Sequence, residues 1–260
     1  MSTILNGVDR DRKRYAWLLS VLIPAGAASG PLFAHITGHL AALWLPLVVT
    51  YVVFPILDTL LGQDQSNPPE HAVADLDADH YYRYVTYALI PILWLGFIFT
   101  VWFYSSHALP WHAQLAGVLS AGMVGGYGIN LAHELGHKLT SSKQPGIERW
   151  LAKLVLAMTG YGHFYIEHNR GHHRDVSTPA DPASSRMGES IYRFVLREMP
   201  GAFRRAWELE KQRLADSGRG PWTLKNEILQ PLLLTLVFFT GMVLWIGWAA
   251  LPFLLLAAFW

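Results

Sequence analysis

Two short stretches of this sequence hold the residue types and spacings that do chemistry. Residues 130–138 read N-L-A-H-E-L-G-H-K, and residues 167–173 read E-H-N-R-G-H-H. His133 and His137 are four residues apart, so a helix puts both rings on one face, within reach of one metal ion. His168 and His172 repeat that spacing. His173 follows at about 100° around a helix, where it can serve a neighbouring metal. Glu134 and Glu167 each adjoin a histidine, and carboxylates so placed commonly orient an imidazole through its other ring nitrogen.

Two kinds of metal chemistry compete for this pattern. His133, Glu134 and His137 satisfy H-E-x-x-H, in which two histidines bind zinc and the glutamate is the general base of a protease. Such a site needs a further ligand, and Asp58 is the acid embedded in another apolar run. Zinc needs three protein ligands and an open position, which leaves E-H-N-R-G-H-H without a task. The alternative is an oxygen-activating pair of irons. Imidazole suits iron, and two irons can store the two electrons that cleavage of O₂ requires. His35, His39, His71, His80, His107 and His112 stand alone and read as interfacial or hydrogen-bonded residues. His163 precedes the second cluster by five residues and is an intermediate case.

The elements that must position these residues are apolar. Of 260 residues, 52% are hydrophobic and 15% charged, against about 25% charged in soluble domains. Disorder is excluded by this composition. A net charge of +1 points to no nucleic-acid partner. Cysteine is absent, which excludes disulfides, thiolate nucleophiles and iron–sulfur centres within these residues. Apolar runs of about 18 or more residues can cross about 30 Å of hydrocarbon as helices. The runs predict an all-α polytopic membrane domain with about six spans, at residues 15–37, 40–61, 84–105, 111–132, 228–248 and an incomplete 249–260. Residues 62–79 read as an irregular loop. Residues 147–161 read as an interfacial or re-entrant helix with Arg149 and Lys153 on its polar side. Residues 162–227 form an insert carrying the second histidine stretch. The insert's second half is an amphipathic helix with Arg204, Arg205, Lys211 and Arg213 on the solvated side.

Arg10, Arg12, Lys13 and Arg14 precede the first span, Arg83 precedes the third, and the remaining basic residues lie between Lys138 and Lys225. All fall on one side of a four-then-two topology. The positive-inside rule makes that side, with the N-terminus and the histidines, cytoplasmic. In a bacterium the membrane is then the inner one.

The two stretches resemble the histidine boxes of membrane fatty-acid desaturases and hydroxylases. More narrowly, His133–Lys138 and Glu167–His173, running on into T-P-A-D-P-A-S at 178–184, are similar to integral-membrane alkane 1-monooxygenases; xylene monooxygenase shares much of the same pattern. The resemblance implies hydroxylation of the terminal methyl of medium-chain alkanes, with O₂ and two electrons from rubredoxin and its reductase. It implies two non-haem irons on the cytoplasmic face, ligated by His133, His137, His168, His172 and His173. Alkylbenzenes or fatty acyl chains are the alternative substrates within the superfamily. Asp181, in the tail of the second box, is expected to support a ligand or fix its loop. The family's two further boxes, N-Y-x-E-H-Y-G and L-Q-R-H-x-D-H-H, do not occur in these residues, so further histidine ligands are expected beyond residue 260, where a fused rubredoxin could also lie. Regioselectivity toward a chain end requires a narrow apolar channel, for which Tyr51, Trp44 and Phe54 of the second span are the candidates. Gly122, Gly125, Gly126 and Gly128 allow close approach to the fourth span. Lys138, Arg170 and Arg174 are candidates for docking an acidic electron donor.

Overall fold

The computed structural model describes residue 11 and residues 13–65, 68–138 and 146–260. Arg10 and Arg12 of the basic head lie outside the described residues. Among the described residues the protein is helical and contains no strand. Helices Arg14–Thr37, Leu40–Leu61, His80–Ser106, Trp111–His137 and Leu229–Ile246 are long and apolar enough to cross a membrane. Ala250–Phe259 is apolar but shorter. The protein is a multi-pass membrane protein. It forms two compact units, one running to Tyr127 and including Trp260, the other from Gly128 to Phe259.

In the first unit the spans pack through small residues. Gly38 takes φ 72° and ends the first span, a left-handed conformation glycine adopts without steric penalty. The chain then turns back into Leu40–Leu61. A Cβ on Gly30 would lie 3.0 Å from the carbonyl oxygen of Leu43, and one on Gly96 would lie 3.0 Å from that of Pro24. Backbones approach this closely only where no side chain intervenes. The third span buries Ile90, Leu93, Phe97, Val101 and Tyr104, a stripe at helical spacing. The ring of Tyr104 covers Gly117, and its hydroxyl donates to the carbonyl of Leu43 at 3.3 Å. Asp79 caps the third span by accepting from the Tyr81 backbone N–H at 2.9 Å, and it also pairs with Arg14.

The second span contains a widened π-helical turn at Val49–Val53. Pro55 follows it, lacks a backbone N–H and crowds the carbonyl four residues back, at Tyr51. Tyr51 and Phe54 are exposed on this span and Trp44 is half-buried.

Residues 62–79 correct the sequence reading. Glu70–Ala78 is a helix rather than irregular loop. Pro69 is extended at its N-cap, Glu70 places a negative charge in the first turn, and alanines fill the interior; each favours a helix.

The second unit holds both histidine stretches. It comprises the end of Trp111–His137, helix Ile147–Leu156, a helical segment over 164–175, the long helix Ile191–Ala215, and the last two apolar helices. Gly128 lets Val155 and Met158 close on the fourth span, since a Cβ there would meet Met158 Cε at 2.8 Å. Thr235 donates to the carbonyl of Ala157 at 2.9 Å and so ties the fifth span to the end of Ile147–Leu156.

Candidate metal centre

Trp111–His137 continues as helix through both histidines of the first stretch, so the four-residue spacing sets His133 and His137 on one face. Their Nε2 atoms are 3.1 Å apart. The second stretch is not α-helical. Glu167–His172 is a π-helical turn, in which the wider coil brings residues five apart round toward one face. The consequence is a change of partner. His168 meets His173, Nε2 to Nε2 at 3.1 Å, rather than sharing its site with His172 as an α-helical spacing predicts. His168 Nε2 is also 3.1 Å from His137 Nε2. His133, His137, His168 and His173 thus converge, with ligand atoms all within 4.8 Å of one another.

These contacts bear on what the group holds. A neutral Nε2 carries either one hydrogen or one lone pair, so it takes part in one hydrogen bond. Four nitrogens therefore make two such bonds at most, yet three contacts of 3.1 Å link them. At least one contact is therefore not a full hydrogen bond of its own, and a cation between the rings would satisfy lone pairs held this close. Two nitrogens about 2.1 Å from one ion, at a right angle, lie about 3 Å apart. Burial, and then the neighbouring imidazoles, lower His168 to about 3, so its lone pair is available at neutral pH. The donor set fits a metal.

His172 lies beside this group, its ring stacked 5.4 Å from that of His168. Its Nδ1 is 2.9 Å from Asp181 Oδ2. The Asp181 side chain is fully buried. Burial pushes its carboxyl up, but hydrogen bonds from Ser184 Oγ (2.6 Å), His172 and the Ala183 N–H outweigh this and hold it below the usual range. An anionic Asp181 fixes His172 with hydrogen on Nδ1 and leaves Nε2 as the free donor atom.

The other expected residues separate. Glu134 is exposed, with a carboxylate oxygen 3.6 Å from His133 Nδ1, which is beyond hydrogen-bond distance. Glu167 is buried, its Oε1 has no hydrogen-bond partner, and burial raises its pKa against the pull of Arg205. Asp58 is not part of the metal-binding group, which is all histidine; that composition weighs against the H-E-x-x-H protease. His163 is 6% exposed and stays outside the group. Neither of its ring nitrogens has a partner, and it packs between the rings of Tyr161 and Phe203.

Three basic residues that the sequence reading set on a polar or solvated face, or offered for docking, are engaged inside the unit. Lys153 is 1% exposed, with Nζ 2.8 Å from both Glu227 Oε2 and Gln230 Oε1. Arg170 bridges Glu210 (3.1 Å) and Glu227 (3.2 Å). Arg205 lies against the second histidine stretch itself, donating to the carbonyl of Gly171 at 2.8 Å. The cause is the buried carboxylates opposite. Burial raises Glu227, but the Lys153 hydrogen bond and the nearby arginines bring it below its ordinary value. The sequence held one signal of this. Ala202, Ala206, Glu210 and Leu214 share a buried helix face, and a glutamate at such a register needs a cation.

The fold and the site define a helical multi-pass membrane protein with a histidine-rich metal centre. Residues 109–260 match the fatty acid desaturase family, and the chain belongs to that family. It is 50% identical over 244 residues to alkane 1-monooxygenase 1 of Alcanivorax borkumensis, covering 94% of this chain and 59% of the relative. It is 47% identical over 244 residues to an alkane 1-monooxygenase of Pseudomonas putida, covering 94% and 60%. Similarity to a xylene/toluene monooxygenase hydroxylase component of Pseudomonas putida is lower, 30% over 147 residues, covering 56% and 38%. The chain thus spans about three-fifths of the length of the alkane 1-monooxygenases it matches.

Proposed function

We propose that this chain belongs to a membrane monooxygenase that hydroxylates the terminal methyl of medium-chain alkanes: R–CH₃ + O₂ + 2e⁻ + 2H⁺ → R–CH₂OH + H₂O. The observation that carries the reading is the convergence of four imidazoles from two helical segments, in a chain half identical to an alkane 1-monooxygenase. His133, His137, His168 and His173 would hold iron, with His172 joining them through Nε2, and a complement of two irons is proposed. The metal, when bound, supplies activation of O₂. The chain supplies position. Asp181 fixes the His172 tautomer. Phe164 stacks on His168 at 4.9 Å and covers that ring with an apolar face. The apolar spans would deliver an alkane from the bilayer, and Tyr51, Trp44 and Phe54 are proposed to line its path.

By the positive-inside rule the distribution of basic residues supports a cytoplasmic position for the histidines, in a bacterial inner membrane. We assign electron delivery to rubredoxin and its reductase. Arg174 and Lys138 remain candidates for docking it, whereas Arg170 is committed to Glu210 and Glu227.

The test is expression of the protein with its electron donor in a host that cannot oxidise alkanes, fed n-octane under ¹⁸O₂. One ¹⁸O in 1-octanol is expected, with iron in the purified protein. Oxidation of xylene methyl groups without octanol would move the substrate to alkylbenzenes. Zinc in place of iron, with neither product, would sink the oxygenase reading.

A further inference from the structure

Arg205 occupies an unusual position for a residue on the long helix Ile191–Ala215. Its side chain is 13% exposed and reaches two segments, the helical segment over 164–175 and the loop at 180–181. Nη2 donates to the Gly171 carbonyl at 2.8 Å and pairs with Asp175. Nη1 donates to the Ala180 carbonyl at 3.1 Å and lies 3.5 Å from Asp181 Oδ1. The same nitrogen is 3.7 Å from Glu167 Oε1. One guanidinium thus joins the end of the π-helical turn to the loop that carries Asp181.

Gly171 makes this approach feasible. A Cβ at that position would lie 3.0 Å from Arg205 Nε and 2.9 Å from Glu167 Oε1. The glycine in E-H-N-R-G-H-H therefore has a local reason: the guanidinium packs close against the turn.

We propose that Arg205 is a positioning residue for the metal centre, holding Asp181 against His172 and the π-helical turn in the register that aims His168 and His173 together. The proposal rests on the metal-centre reading above. Arg205 touches no ligand ring itself and acts through Asp181 Oδ1, whose partner oxygen Oδ2 meets His172. The fork matters as much as the charge. A lysine would balance the three carboxylates as a point charge, but it cannot span two carbonyls and two carboxylates with fixed planar geometry.

The experiment is Co²⁺ titration of the detergent-purified chain, read by the visible ligand-field spectrum, with thermal melting in parallel. Arg205→Lys is expected to melt within a few degrees of the unchanged protein, yet to bind Co²⁺ about 10-fold more weakly or worse, with an altered spectrum. Gly171→Ala is expected to do the same by displacing the guanidinium. Arg205→Ala should lose more, and added ethylguanidinium should restore the spectrum. Asp181→Asn should weaken binding, and combining it with Arg205→Lys should cost less than the sum, because the two share a contact. Unchanged Co²⁺ affinity and spectrum in both Arg205→Lys and Gly171→Ala would overturn the proposal. So would losses that add in full. Failure of the metal reading looks different: the unchanged chain would then bind Co²⁺ no better than a variant lacking His133, His137, His168 and His173, and both conclusions would fall together.

Discussion

His163 gives a pH dependence whose sign and size follow from its surroundings. The ring is 6% exposed, neither nitrogen has a partner, and burial lowers its pKa from 6.5 to about 4. The groups around it offer no compensating charge. Tyr161 and Phe203 face it as rings, and Glu198 is turned to the Tyr161 hydroxyl at 3.1 Å. The folded state therefore holds His163 neutral, while the unfolded chain protonates it near 6.5. Between those values the unfolded chain binds more protons, so stability falls as pH falls. The contribution is complete above about pH 6.5 and is lost progressively down to about pH 4. At about 1.4 kcal/mol per pH unit, a drop from pH 7.5 to pH 5 removes about 2 kcal/mol. That corresponds to roughly 4–8 °C in Tm for a chain of this size. His163→Phe removes the titrating group and keeps an aromatic ring between two others. The assay is Tm in detergent at pH 7.5 and pH 5 for both proteins. Every other ionisable group is common to both proteins, so the difference between the two drops isolates His163. The unchanged protein should lose about 4–8 °C more than the variant. Equal drops would refute the reasoning and place a partner on the ring.

Lys153→Met should destabilise the protein by about 3 kcal/mol, the lower end for breaking a buried pair, because Arg170 and Arg149 still face Glu227. Pairing it with Glu227→Gln should cost clearly less than the sum in a melting cycle, and full additivity would show that the pair is not coupled. His173→Ala should weaken Co²⁺ binding at least as much as His172→Ala, since His173 converges with His133, His137 and His168 while His172 is held at the side by Asp181; a metal lost only with His172 would reverse that ranking. Tyr51→Ala should lengthen the alkane accepted, read as the distribution of 1-alkanols from a C6–C16 mixture. An unchanged distribution would remove Tyr51 from the substrate path.

The helical class and the two histidine stretches that meet in the fold were legible in the residues, because both depend on local period. Runs near twenty apolar residues have one solution in a bilayer, a helix with its backbone satisfied internally. His133 and His137 needed only the α-helical rise. The alanine-rich helix at Glu70–Ala78 was obscured by the two prolines before it and by its acidic content. What sequence spacing alone could not supply was the choice among His168, His172 and His173. Whether that turn coils as α or π shifts the register by one residue, and the packing around it decides which. Arg205 is 34 residues from Gly171 and 24 from Asp181 in the chain, and Lys153 is 74 from Glu227. No local periodicity encodes such pairs. Tertiary packing buries Glu210, Glu227 and Asp181, and a buried carboxylate without a cation is costly. Arg205 was therefore drawn inward from a face that the sequence pattern marked as solvated, and Lys153 and Arg170 are held by Glu210 and Glu227. The residues determined that imidazoles would meet at one end of the spans. The folded chain decided which of them converge and what holds them there.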